Sequence, residues 1–238
     1  MKRSTLWVAG LLLALGTASH AKLGVDATMT TGLFGRYIFR GARLSPTSLQ
    51  TDLTLTKAFS NKWSATAYLW ADHALAPNAG QVRFQEADYD FSVNWKPSTV
   101  WGLTAGWVYY DIIHPGWDGP DTAELYGKLD FYGWKCAPGI SLFYDHQNAV
   151  GLYGDIHASK SFSLGEKFTL NTYGEVGFAE KSDKMTHGLI RTALAIDLGE
   201  GWTATPRVDW WFPTAFADPS ANGFRPEVAA TIGYTTSF

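Results

Sequence analysis

The stretch FQEADYDFSVNW, Phe84 to Trp95, separates into two sets when every second residue is taken. Ala87, Tyr89, Phe91, Val93 and Trp95 are apolar, whereas Glu86, Asp88, Asp90, Ser92 and Asn94 are acidic or polar. Period two over a run this long is the signature of a strand, since successive side chains point to opposite faces. One face of this strand meets something greasy and the other meets something that tolerates three carboxylates.

The same alternation recurs along the chain. It is strongest in Ala123/Leu125/Gly127/Leu129/Phe131 against Glu124/Tyr126/Lys128/Asp130/Tyr132, and in Phe168/Leu170/Thr172/Gly174/Val176/Phe178 against Thr169/Asn171/Tyr173/Glu175. The final run sets Val228/Ala230/Ile232/Tyr234/Phe238 against Glu227/Ala229/Thr231/Gly233. Strands are predicted over 25–40, 48–58, 62–73, 84–96, 100–111, 122–133, 139–147, 151–162, 167–180, 186–198, 202–212 and 226–238. Between them, short turns (SNK, KPST, WKCAPG, LGEK, GEG) alternate with longer loops such as GARLSPT, HALAPNAGQVR, IIHPGWDGPD and PTAFADPSANG.

Short turns at one end and longer loops at the other describe an outer-membrane barrel. A soluble sandwich also alternates, but it turns its greasy face to a core. Here aromatics gather at strand ends, with Phe59 and Trp63, Trp95 and Trp101, Phe162 and Phe168, and Trp202 and Trp210, as in the interfacial girdles of a barrel. Charged residues are only 17% of the 238, against about 25% in an average soluble domain. The expected fold is therefore all-β: a transmembrane antiparallel up-and-down barrel of about twelve strands, both termini periplasmic, occupying residues 22–238 and embedded in outer-membrane lipid.

Residues 1–21, MKRSTLWVAGLLLALGTASHA, read as a cleaved secretory signal peptide: a basic start, an apolar run and a small-residue site at Ala21. The single cysteine, Cys136, allows no internal disulfide. A net charge of -3 and the lack of a basic patch exclude nucleic acid as a partner class.

If the apolar set faces lipid, the polar set faces a lumen. Asp52, Glu86, Asp88, Asp90, Glu124, Lys128, Asp130, Asp155, Glu175, Arg191, Arg207 and Asp209 then line it, together with Asp72, Asp145, Asp197, Glu227 and Arg36. Unpaired carboxylates in a dry core are expensive, so water must reach them or bases must satisfy them. Twelve strands fall between eight, whose lumen side chains fill, and sixteen, which leave an open channel. The first reading is a narrow, weakly cation-favouring pore passing small hydrophilic solutes or ions. The alternative is a closed structural or surface-binding barrel with a salt-bridged lumen.

An enzyme is the third reading and is not expected. His157 and Ser159, with Asn171 placed opposite Ser159 across the SLGEK turn, would form a Ser-His-Asn set able to activate the serine. This resembles the His-x-Ser and later Asn of the outer-membrane phospholipase family. That family has Asn-Gly after the serine, and here Lys160-Ser161 follows. Asp111, His114, Asp118 and Asp121 share one loop but match no metal-loop spacing, and no cofactor is expected.

Two resemblances add to these readings. Terminal Phe238, with Tyr234 and Ile232 alternating behind it, resembles the signature read by the Gram-negative barrel-assembly machinery, with Thr236 as a departure. RYIFRG (Arg36 to Gly41), WVYYD (Trp107 to Asp111) and AELYGKLDF (Ala123 to Phe131) resemble the TorF-type porin family of small outer-membrane barrels. That resemblance implies the same fold and a porin-like activity.

Overall fold

Strand β1 (Val25–Phe34) pairs antiparallel with β4 (Ser48–Ala58) on one edge and with the last strand, β14 (Arg225–Ser237), on the other. This double pairing closes the sheet. The other strands follow as neighbours in chain order: β5 (Trp63–Ala74), β6 (Gln85–Trp95), β7 (Gly102–Ile112), β8 (Thr122–Asp130), β9 (Gly139–Asp145), β10 (Gly151–Ser163), β11 (Phe168–Ala179), β12 (Lys184–Gly199) and β13 (Trp202–Pro213). The result, in a computed structural model that describes residues 24–76, 85–112, 121–147, 151–180, 184–214 and 225–238, is a closed antiparallel barrel of twelve strands. No helix among the described residues is long and apolar enough to cross a membrane.

Closure follows from the solvent. In hydrocarbon an open sheet edge leaves backbone groups without partners, and a closed barrel has no edge. The period-two pattern then sets the faces. Tyr89, Phe91, Val93, Leu125, Leu142, Ile156, Ile190, Val228 and Ile232 are exposed on the outside, an apolar surface suited to lipid. Aromatic pairs mark one of its rims. Trp63 stacks on Trp95 at 5.7 Å, Trp95 meets Trp101 edge-on at 5.6 Å, and Trp202 meets Tyr234 at 4.9 Å, all at the end with the short turns.

One predicted strand is shortened. The run expected over 25–40 leaves the barrel after Phe34, where Gly35 donates its amide to the Val228 carbonyl at 2.9 Å. The next residues form a separate hairpin of β2 (Tyr37–Phe39) and β3 (Ala42–Ser45). Phe39 pairs with Ala42, so Arg40 and Gly41 are the two tip residues, both with positive φ, 50° and 85°. That is the backbone of a two-residue hairpin loop, and Gly41 suits it because it carries no Cβ.

Candidate functional site: the barrel lumen

The hairpin folds into the barrel and crosses it. Around the ring of twelve, β9 lies six strands from β1 in either direction, so it is diametrically opposite the hairpin's root. The tip reaches that wall. Arg40 makes a two-pronged ion pair with Glu124 of β8 at 2.6 and 2.7 Å, and its guanidinium lies 4.9 Å from the Phe143 ring of β9 and 4.0 Å from the Tyr153 ring of β10. Nearer the root, Tyr37 packs on Trp70 at 5.0 Å and hydrogen-bonds Glu86, and Phe39 packs on Tyr110 at 5.7 Å. Arg36 pairs with Glu227 at 2.7 Å, and Ser45 donates to Asp72 at 3.4 Å.

Most of the expected lumen acids have specific partners. His157 sits between two of them, with Nδ1 2.8 Å from Asp155 and Nε2 3.0 Å from Asp130. Glu175 accepts from the Tyr173 hydroxyl and lies 2.9 Å from His187 Nε2. Asp209 holds two guanidiniums at once: Arg191 at 2.7 and 2.9 Å, and Arg207 at 3.0 Å. Asp90 accepts from Tyr126 at 2.9 Å, and Asp52 from Thr30. Lys128 lies 4.8 Å from the Tyr126 ring. Gln147 donates its amide to Asp145 at 3.0 Å, and Asp197 is exposed.

Glu86 and Asp88 differ. Both are inward on β6, yet among the described residues Glu86 Oε2 and Asp88 Oδ1 have no hydrogen-bond partner. Across the lumen from β6, six strands away, stands β12 with Arg191, and beside it β13 with Arg207. Acids on one wall thus face bases on the other over a cavity of about 320 Å3, lined by Tyr68, Asp88, Asp90, Arg191, Arg207 and Asp209 among others. A second cavity of about 550 Å3 is lined by Lys128, Asp130, Tyr153, His157, Tyr173 and Glu175 among others. Ile38 and Phe39 line both, so the hairpin stands as a partition between them.

The Ser-His-Asn set does not assemble. Ser159 pairs with Tyr173 and not with Asn171, whose partner is Ser161, and the Ser161 hydroxyl donates to Asn171 Oδ1 at 2.6 Å. His157 uses both ring nitrogens on carboxylates. A register shift of two residues leaves every side chain on its expected face, so the face pattern could not reveal it. Of the loop weighed as a metal site, His114 and Asp118 lie outside the described residues; Asp121 accepts from the Tyr109 hydroxyl at 2.8 Å and from the Ile112 amide at 3.2 Å. Cys136 is an exposed free thiol in the β8–β9 turn.

The sequence reading missed the roles of Arg40, Tyr37 and His187. A signal for the first two existed: Arg40-Gly41 between the apolar residues Phe39 and Ala42 is a two-residue hairpin cue. His187 is four residues before Arg191 on β12 and so shares its inward phase.

No family model and no curated protein matches the chain. Solved structures do. An outer-membrane channel from Pseudomonas putida F1 is similar at a TM-score of 0.60 and 8% identity, covering 93% of this chain and 98% of that one. The NanC porin is similar at 0.53 and 13%, covering 89% and 99%, and outer membrane phospholipase A from Escherichia coli at 0.52 and 9%, covering 88% and 92%. At these identities the likeness is one of fold. A closed twelve-strand barrel with an apolar exterior is thus the fold this chain shares with porins and channels of the outer membrane.

Proposed function

We propose that the chain is an outer-membrane channel for passive diffusion of small hydrophilic solutes or ions, narrowed by the inward hairpin and weakly cation-favouring. The observation that carries this reading is the pair of inward carboxylates on β6, Glu86 and Asp88, each with an oxygen that no described residue satisfies. Buried carboxylates without partners are costly in a dry interior, and water or a mobile cation beside them removes that cost. The cavity beside Asp88 and Asp90 provides the space. The remaining lumen acids are largely paired with Arg36, Arg40, Arg191 and Arg207 or hydrogen-bonded to His157 and His187, which leaves the uncompensated negative potential on β5 and β6. Fixed carboxylates on a narrow wet wall raise local cation concentration.

In this reading Asp52, Glu86, Asp88, Asp90, Glu124, Lys128, Asp130, Asp155, Glu175, Arg191, Arg207 and Asp209 line the pore, and the short-turn end with both termini faces the periplasm. Residues 1–21 direct export, and the terminal Phe238 strand is what the barrel-assembly machinery reads. The motifs Arg36–Gly41 and Ala123–Phe131, both of which contribute to the constriction, support a place in the TorF-type porin family.

A closed barrel is the competing reading, favoured by the hairpin's span across the whole lumen. Single-channel recording of the purified protein in a planar bilayer separates the two. We expect small cation-preferring currents, larger ones when residues 36–45 are replaced by a short Gly-Ser link, and a reversal potential shifted towards anions in Glu86→Gln/Asp88→Asn/Asp90→Asn. Absence of conductance in both the native and the hairpin-replaced barrel would leave the closed reading standing. Conduction with anion preference would refute the charge argument alone.

A further inference from the structure

Arg40 occupies a position whose backbone does not suit it. A left-handed residue at a two-residue hairpin tip is best filled by Asn, Asp or Gly, because an L side chain there crowds the following carbonyl. Arg40 holds φ 50° nonetheless. An outlier of this kind points to work done by the side chain.

That work is visible at the far wall. Glu124 presents both carboxylate oxygens to the guanidinium at 2.6 and 2.7 Å, and Tyr110 steadies Glu124 by donating to Oε2 at 3.0 Å. The Tyr153 and Phe143 rings lie 4.0 and 4.9 Å from the guanidinium carbon. Tyr110, Glu124, Phe143 and Tyr153 belong to four consecutive barrel strands, β7 to β10, so the pocket is a feature of the wall and the hairpin only fills it. A fork-shaped carboxylate contact combined with aromatic faces selects a planar guanidinium over a compact ammonium. The 550 Å3 cavity adjoins it and shares Arg40, Phe143 and Tyr153 as lining, which leaves room for a second cation to approach.

We propose that this wall pocket is a receptor for guanidinium-bearing solutes and that Arg40 is its tethered occupant, so that a soluble guanidinium binds by displacing Arg40 and unlatches the hairpin tip. The binding half stands on the pocket alone; the unlatching half rests on the channel reading above.

The test uses the full barrel with Arg40→Asn, which empties the pocket while suiting the tip backbone. The probes are methylguanidinium and its neutral isostere N-methylurea. By calorimetry in detergent micelles, methylguanidinium binds Arg40→Asn at one site, about tenfold tighter than it binds the native protein, and N-methylurea does not bind. Adding Glu124→Gln abolishes that site; adding Tyr153→Leu weakens it several-fold and serves if the Gln variant does not refold. In bilayers Arg40→Asn passes larger currents than the native barrel, and methylguanidinium raises the native current towards that level. Equal affinity in Arg40→Asn and native protein, or equal binding of N-methylurea, overturns the receptor. Binding of methylguanidinium to the native protein by calorimetry, with no effect on its current in a conducting barrel, overturns the latch. A barrel that binds and never conducts leaves the receptor intact and refutes the channel reading instead.

Discussion

Replacing Gly106 with Ala tests the packing of the acidic wall, because two effects of opposite sign compete there. In an ordinary strand the change stabilises by about 0.5–1 kcal/mol through chain entropy. Gly106 on β7, however, lies directly across from Tyr126 on β8, and a Cβ at Gly106 would stand 2.4 Å from Tyr126 Cζ and 2.5 Å from its hydroxyl. The ring must move by more than an ångström. It is held by its hydrogen bond to Asp90 at 2.9 Å and by its contact with Phe143 at 5.4 Å between centroids. A hydrogen bond to a charged group contributes about 1.5–3 kcal/mol, and overpacking of a fitted site costs about 1–3 kcal/mol. Small shifts of the ring and strands offset some of this, so the net expectation is a loss of about 1–3 kcal/mol. Urea unfolding of barrels refolded into phosphatidylcholine vesicles, followed by heat-modifiable migration, measures it. In a Tyr126→Ala background the same Gly106→Ala change should become neutral or stabilising, a coupling that a double-mutant cycle reads directly. Gly106→Ala as stable as the native barrel would refute the reasoning.

Three further changes have definite expectations. Asp209→Asn leaves Arg191 and Arg207 side by side without their shared anion; because those side chains remain 32% and 24% exposed, the loss in urea unfolding should be about 1–3 kcal/mol rather than the larger figure for a dry pair, and an unchanged midpoint would contradict it. Val93→Arg, on the exposed lipid face between Ala65 and Ala105 and two residues from the rim at Trp95, should be destabilising by less than the ~2–4 kcal/mol of a midplane site, measured by the same titration. In a Cys136→Ser background, a membrane-impermeant thiol reagent should label Asp88→Cys and spare Phe91→Cys; the reverse would flip the phase of β6.

The barrel was legible because its physics is repetitive. Every crossing must alternate, so stretches such as 84–95 and 122–131 reveal both strand and face, and the loop rhythm supplies antiparallel order. The inward hairpin was not legible by the same rule. Arg36, Ile38 and Phe39 extend the texture of β1, and only the Arg-Gly pair at 40–41 hints that the chain doubles back. Nor could alternation locate the partner of Ser159, since sliding β10 against β11 by two residues preserves every face. Charge phase marks the candidate lumen acids. Which of them are neutralised depends on contacts between opposite walls and on the hairpin tip, and those separations, such as Arg40 to Glu124, are set by barrel closure.

The seam where the barrel closes has a topological consequence. Asp26 to Phe34 pair with Ser237 back to Ala229, and the Gly24 amide donates to the Phe238 carbonyl at 2.6 Å. This ladder is of the same kind as the other eleven, so the described chain is cyclic in space although linear in sequence. Linking Phe238 to Gly24 and opening the chain instead in the exposed turn at Ser60 and Asn61 would give a circular permutant with an unchanged set of strand neighbours. In that permutant the hairpin would lie near the new C-terminus, ahead of Ser60 and no longer near the N-terminus, and would still meet Glu124.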